Sequence, residues 1–153
     1  MSDTAVRTPQ QVFDHHVQAL VARDLEGIVE DYADDAVFIT PDGSLRGKDG
    51  IRQAFQKVLD DLPDAELDLK TATFEDDALF IEWTAKTSAG RVDDGIDTFI
   101  FRDGQIRLQT VRYTVVPCTF CPSSCTYSRC SYRPRARSPR PRSHGPDTDT
   151  TSW

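Results

Sequence analysis

Between Thr8 and Arg23, Val12, Phe13, His16, Leu20 and Val21 recur at the spacing of one face of a helix. Thr8-Pro9 gives that helix a start: a threonine cap, then a proline at the first position, where a missing N–H costs nothing. Asp24 caps a second, short helix with Leu25, Ile28, Val29 and Tyr32 on its apolar side, and Asp34-Asp35 closes it. Ala36 to Thr40 reads as a strand ended by the turn Pro41-Asp42-Gly43. A third helix is predicted from about Asp49 to Leu62, burying Ile51, Ala54, Phe55, Val58 and Leu59, with Pro63 as its stop.

The period then changes from helical to alternating. Glu66 to Phe74 puts Leu67 and Leu69 on one face. Ala78 to Thr87 sets Leu79, Ile81, Trp83 and Ala85 against Phe80, Glu82, Thr84 and Lys86. Two further strands, Arg91 to Arg102 and Gln105 to Val116, flank Asp103-Gly104, a hairpin signal. Three helices around one strand, followed by a meander, predict an α+β fold with helices packed on one face of a curved, mostly antiparallel sheet.

Charge divides the chain at the point where the pattern fails. Through Pro117 there are 12 Lys and Arg against 23 Asp and Glu; from Cys118 onward six Arg face two Asp. The segment 118–153 is rich in Ser, Pro, Arg, Thr and Cys and nearly devoid of aliphatic residues, so it cannot bury enough apolar area to offset its ordering entropy. The organisation expected is a folded domain over 8–117 and a disordered tail over 118–153. A net charge of −7 argues against nucleic acid as a partner. No apolar run is long enough for a bilayer, and no secretory signal opens the chain, so no membrane association and a cytoplasmic location are expected. All four cysteines (Cys118, Cys121, Cys125 and Cys130) lie in the tail, at spacings that match no standard zinc knuckle. Neither a metal nor a cofactor is expected.

Three segments carry a resemblance. Asp24-Leu25-Glu26-Gly27-Ile28-Val29 with Tyr32-Ala33-Asp34-Asp35-Ala36-Val37 resembles the opening of SnoaL-like and ketosteroid isomerase-like domains. Gly47-Lys48-Asp49-Gly50-Ile51-Arg52 resembles the start of their third helix, and Ile96 to Ile106 their penultimate-strand hairpin. The resemblance covers roughly Pro9 to Val116 and implies the cone-shaped, pocket-forming fold of the nuclear transport factor 2-like superfamily, often a homodimer. That fold hosts isomerases, cyclases, dehydratases and non-enzymatic binding proteins, so it does not select an activity.

Carried over position by position, the resemblance places Thr40 where ketosteroid isomerases hold their aspartate base, which a neutral hydroxyl cannot replace. His16 falls where they hold an oxyanion-donating tyrosine, and Asp97 matches their protonated aspartic acid. His16 and Asp97 are therefore the candidate catalytic pair, either as an imidazole–carboxyl acid–base unit or with Asp97 acting alone as the acid. The bland alternative is a mutually satisfied buried pair. Tyr32, Phe38, Thr40, Phe55, Trp83, Phe99, Gln109 and Tyr113 are the expected lining of a pocket for a flat, apolar small molecule, although for any one of them taken singly core filling is the better reading. Trp83 could by strand parity face the other way. His15 is expected to face solvent, and Glu82 and Arg112 to oppose one another as an ion pair.

Overall fold

In the computed structural model, residues 5–118 are described; the expectations of a disordered tail and of its cysteines beyond Cys118 lie outside them. The elements are α1 (Pro9–Val21), α2 (Leu25–Glu30), β1 (Tyr32–Thr40), β2 (Gly43–Arg46), α3 (Gly47–Asp61), β3 (Glu66–Glu75), β4 (Ala78–Thr87), β5 (Gly90–Arg102), β6 (Gln105–Arg112) and β7 (Val115–Pro117). One mixed sheet runs β2-β1-β6-β5-β4-β3, and β7 pairs with β5. Only β1 against β6 is parallel; the other pairings are antiparallel. This is the α+β arrangement read from the pattern, three helices against a curved sheet.

α1 begins as its cap residues dictate. Thr8 Oγ1 accepts from the Gln11 N–H at 3.2 Å, and Gln11 Oε1 accepts from the Thr8 N–H at 2.9 Å. The reciprocal pair satisfies two N–H groups that a helix start leaves unbonded. Val12, Phe13, His16 and Ala19 form the helix's buried stripe.

The expected second helix is shorter than the pattern suggested. It stops at Glu30, and Tyr32 through Asp35 belong to β1. The cause is Asp31, whose carboxylate is fully buried and takes Arg7 Nη1 at 2.8 Å and His15 Nδ1 at 2.8 Å. Its carbonyl meanwhile accepts from the Ile106 N–H at 2.7 Å, drawing the chain into the sheet. His15 thus turns toward Asp31 rather than simply facing solvent. The turn at Pro41-Asp42 also proves to be a hairpin, with β2 pairing back along β1.

Bulges bend the sheet. Across β4 and β5, Trp83 pairs with Gly95 and Ala85 with Val92, so Thr84 stands opposite both Asp93 and Asp94. The extra residue reverses the parity of β5: Val92 is inward on one side of it, and Gly95, Asp97, Phe99 and Phe101 on the other. The last predicted strand is likewise broken at Tyr113-Thr114. Asp94 holds the break by accepting from the Thr114 N–H at 2.8 Å and its hydroxyl at 2.9 Å. Glu82 and Arg112 do not meet, since both pair with Ile96 from opposite sides; Arg112 lies 3.5 Å from Asp94 and Glu82 accepts from Thr71. Among the described residues no helix is long and apolar enough to cross a membrane.

Candidate functional site

Helices α1 and α3 and the inward sheet face enclose a cavity of about 390 Å³. Its walls are apolar: Phe13, Val17 and Leu20 from α1, Phe55 and Leu59 from α3, and Phe38, Ile81, Phe99 and Val111 from the sheet. Val21, Leu67 and Leu69 also line it while remaining 67%, 36% and 47% exposed, so they mark its mouth between the end of α1 and β3. Polar groups at the wall include His16, Asp97, Gln109 and the Trp83 and Tyr113 side chains.

Asp97 sits in β5 between strands that each present it a donor. Trp83 Nε1 in β4 donates to Oδ1 at 2.9 Å, and Gln109 Nε2 in β6 donates to Oδ2 at 2.8 Å. Gln109 Oε1 in turn accepts a short hydrogen bond from the Tyr32 hydroxyl. The result is a relay, Tyr32 to Gln109 to Asp97, met from the other side by the indole. Burial pushes the Asp97 carboxyl up to about 7, and the two donated hydrogen bonds pull less strongly the other way. At neutral pH this acid therefore stands near the midpoint of its titration, where a proton can be given or taken.

Trp83 reaches Asp97 because Gly95, its cross-strand partner, has no side chain. A Cβ at Gly95 would lie 2.3 Å from Trp83 Cδ2 and 2.4 Å from Cε2. The indole lies over the glycine and contacts Tyr113, with ring centroids 5.6 Å apart. Tyr113 in turn donates to Asp61 Oδ2 at 3.1 Å. Burial raises the Tyr113 phenol, and the Asp61 charge adds to it.

His16 is buried among Tyr32, Phe55 and Phe99, each ring edge-on with centroids 5.5–5.8 Å away. No hydrogen bond joins it to Asp97, whose oxygens are taken by Trp83 and Gln109. The paired dyad anticipated from the sequence is therefore not formed; the residues share a cavity but not a bond. Among the described residues His16 Nδ1 is the one buried side-chain nitrogen or oxygen without a hydrogen-bond partner. Burial lowers its pKa to about 4, against a smaller upward pull from Asp31 and with a further downward push from His15. His16 is thus a neutral imidazole at neutral pH, poorly suited to act as a base.

The expected lining divides. Phe38, Phe55, Trp83, Phe99, Gln109 and Tyr113 line the cavity together with His16 and Asp97. Tyr32 lies behind that wall, fully buried, and reaches the site through Gln109. Thr40 belongs elsewhere: its hydroxyl organises the β1–β2 turn, donating to the Gly43 carbonyl and accepting from the Asp42 N–H. It lines a second, more open cavity of about 720 Å³. Sequence reasoning missed the role of Gly95, since only the register reveals that it faces Trp83. It also missed the buried Asp31, for which the one signal was an acid set directly before the apolar β1. Among the described residues no three His, Cys, Asp or Glu side chains converge to hold a metal ion.

The SnoaL-like domain family matches residues 13–109, more than half of the chain, and the chain belongs to that family. Solved structures agree on the fold. A SnoaL-like protein of unknown function from Burkholderia thailandensis is 22% identical with a TM-score of 0.58, over 69% of this chain and 94% of that one. TerC, co-crystallised with polyporic acid, is 17% identical with a TM-score of 0.60, over 70% and 92%. A nuclear transport factor 2-like protein of unknown function from Burkholderia xenovorans is 17% identical with a TM-score of 0.59, over 75% and 88%. Among curated proteins no sequence matches this chain.

Proposed function

We propose that this chain is a small-molecule pocket protein whose cavity takes a flat, apolar compound bearing a carbonyl, and that Asp97 exchanges a proton with it without a cofactor. The observation that carries the reading is Asp97 itself: a buried carboxyl at the wall of a largely apolar cavity, raised to about 7 by burial. A buried carboxyl is costly unless it is used or paired. Here it is held by two donors, Trp83 and Gln109, that position it without supplying a compensating positive charge. That TerC, a protein of the same fold, was co-crystallised with polyporic acid supports a small-molecule ligand.

In the proposed reaction the Asp97 carboxylate removes a proton from the carbon next to the substrate carbonyl. The C–H electron pair becomes the enolate, and the acid then returns its proton to carbon or oxygen. Returned to a different carbon, the proton completes an isomerisation. In a cyclase the enolate carbon would form a bond to a second carbonyl of the substrate, and the acid would protonate the alkoxide so formed. In a dehydratase the bond to a β-hydroxyl would break, and the acid would protonate the oxygen that leaves as water. His16, as a neutral imidazole, offers a hydrogen bond rather than a base. A second reading, binding without chemistry, is favoured by one observation: both Asp97 oxygens already accept a hydrogen bond within the protein.

Deuterium exchange from solvent into β-tetralone, a flat bicyclic ketone, separates the two. The catalytic reading predicts exchange above the buffer rate that falls by about 10²-fold or more in Asp97→Asn, the usual worth of a positioned acid–base. Exchange at the buffer rate by wild-type protein that nonetheless binds the ketone leaves only the binding module. The outer sheet face carries Phe80, 39% exposed, and offers a surface for a second copy. Sedimentation at micromolar concentration reading a monomer removes that part of the proposal.

A further inference from the structure

The inward face of the sheet runs on past its helical cover. β3 is the edge strand beyond β4. Leu67 pairs with Ala85 and Leu69 with Trp83, so the two leucines share the inward face with those residues. Ala85 and Trp83 are buried, yet Leu67 and Leu69 stand exposed. The cover stops short of them, α1 ending at Val21 and α3 at Asp61. Val21, itself exposed, stands on the other side of the cavity mouth.

That mouth is held in shape. Arg23 donates from Nη1 to the Leu62 carbonyl at 3.1 Å and from Nη2 to the Leu59 carbonyl at 2.7 Å. The two bonds tie the turn after α1 to the end of α3, and all three residues line the cavity. Val21, Leu67 and Leu69 therefore flank a fixed opening rather than a loose end. Pairing of another chain along the β3 edge is opposed by the charges of Glu66, Asp68 and Lys70 and by the register shift between Leu69 and Thr71. What the three exposed apolar side chains share is the inner cavity, whose apolar lining they continue out to solvent. The cover that matches this continuity is a ligand that starts in the cavity and leaves through its mouth.

We infer that the cavity ligand carries an apolar arm, which leaves the ring beside Asp97, passes out between Val21 and β3 and lies on Leu67 and Leu69. This rests on the inner cavity being the ligand site, and it narrows the ligand class from flat apolar carbonyls to those bearing a slender hydrocarbon chain. Asp97 lies in β5, two strands from β3, so ring and arm together span about 10 Å across the sheet.

Calorimetric titration of the full chain with 4′-methylacetophenone and 4′-heptylacetophenone tests it. The methyl compound reports on the inner cavity, and the ratio of the two dissociation constants within one protein reports on the arm. Six further methylenes, each about half covered, are expected to tighten binding on the order of 50-fold. In a Leu67→Ser, Leu69→Ser variant that ratio is expected to fall about tenfold, and in Val21→Ser about threefold. Phe80→Ser removes an exposed apolar side chain from the other sheet face and should leave the ratio as it was. All four positions are exposed, so the fold has little to lose. A wild-type ratio near one overturns the inference, as does a ratio that survives both mouth variants or falls equally in Phe80→Ser. Each of those results leaves the inner site standing provided that 4′-methylacetophenone binds. If it does not bind, the inner-site reading fails first and takes this one with it. A ligand-free dimer that dissociates in the Leu67→Ser, Leu69→Ser variant gives the strip to a second copy and overturns the inference too.

Discussion

Asp97 and His16 titrate in opposite senses over nearly the same interval, and that makes their protonation states measurable through stability. Burial raises Asp97 from 3.8 to about 7 and lowers His16 from 6.5 to about 4. Between those limits both are neutral in the folded protein and both are charged once it unfolds. Unfolding then releases one proton from Asp97 and binds one at His16, so together they leave stability nearly independent of pH. Each variant unmasks the other group. Asp97 contributes stability that is complete below 3.8 and is lost as pH rises through about 7. His16 contributes stability that is complete above 6.5 and is lost as pH falls through about 4. At about 1.4 kcal/mol per pH unit, the Asp97→Asn minus wild-type difference should rise by roughly 4 kcal/mol between pH 4 and 7. The His16→Phe minus wild-type difference should fall by roughly 3 kcal/mol between pH 4 and 6.5. Urea unfolding followed by circular dichroism at half-unit steps measures both. The charged and titratable neighbours, Asp31 and His15 around His16 and Tyr32 and Tyr113 around Asp97, are common to wild type and variant and largely cancel. A difference curve that stays level for either variant refutes the argued environment of that residue.

Gly95→Ala places a methyl within 2.3 Å of the Trp83 indole, so the ring must shift and its bond to Asp97 with it. Chemical denaturation should show a loss of about 1–3 kcal/mol, typical of overpacking, together with a changed Trp83 emission; unchanged emission would sink the positioning role. Arg7→Ala strips a charged donor from the buried Asp31, leaving His15 as its remaining side-chain partner. A loss of about 1–3 kcal/mol at neutral pH is expected from the same denaturation assay, and a loss below about half a kcal/mol counts against it. We also propose that the folded unit ends with β7: a chain stopped after Cys118 keeps all the strand pairings of the described sheet and should unfold in one cooperative transition by calorimetry. Loss of that transition places the boundary further on.

What the sequence made legible follows from period and punctuation. α1 was readable because Thr8-Pro9 and a clean apolar stripe agree, and β4 because its alternation from Leu79 to Ala85 is unbroken. The same alternation put Trp83 in line with Ile81, and the structure removes the ambiguity by laying it over Gly95. The errors share a cause: long-range partners decided what local pattern could not. Tyr32 fits a helix stripe, yet Asp31 is fixed by Arg7 and His15 and by the Ile106 N–H, so the chain is already strand. Glu82 and Arg112 looked opposed only if β4 and β6 were neighbours, and β5 lies between them. Asp97 stood out as a carboxyl in an apolar strand, but its donors come from two other strands whose register the sequence does not state. His16 was assigned to Asp97 through a family position, while its actual neighbours are aromatic rings.

The central claim is that Asp97 is a cavity acid poised to exchange a proton near neutral pH. Carbon-13 NMR of the aspartate carboxyls, with Asp97 assigned by its disappearance in Asp97→Asn, reads that directly. The account predicts a midpoint at about 7. A midpoint at the ordinary 3.8 would mean that Asp97 is a plain carboxylate at neutral pH, and the proposed proton transfer would lose its acid.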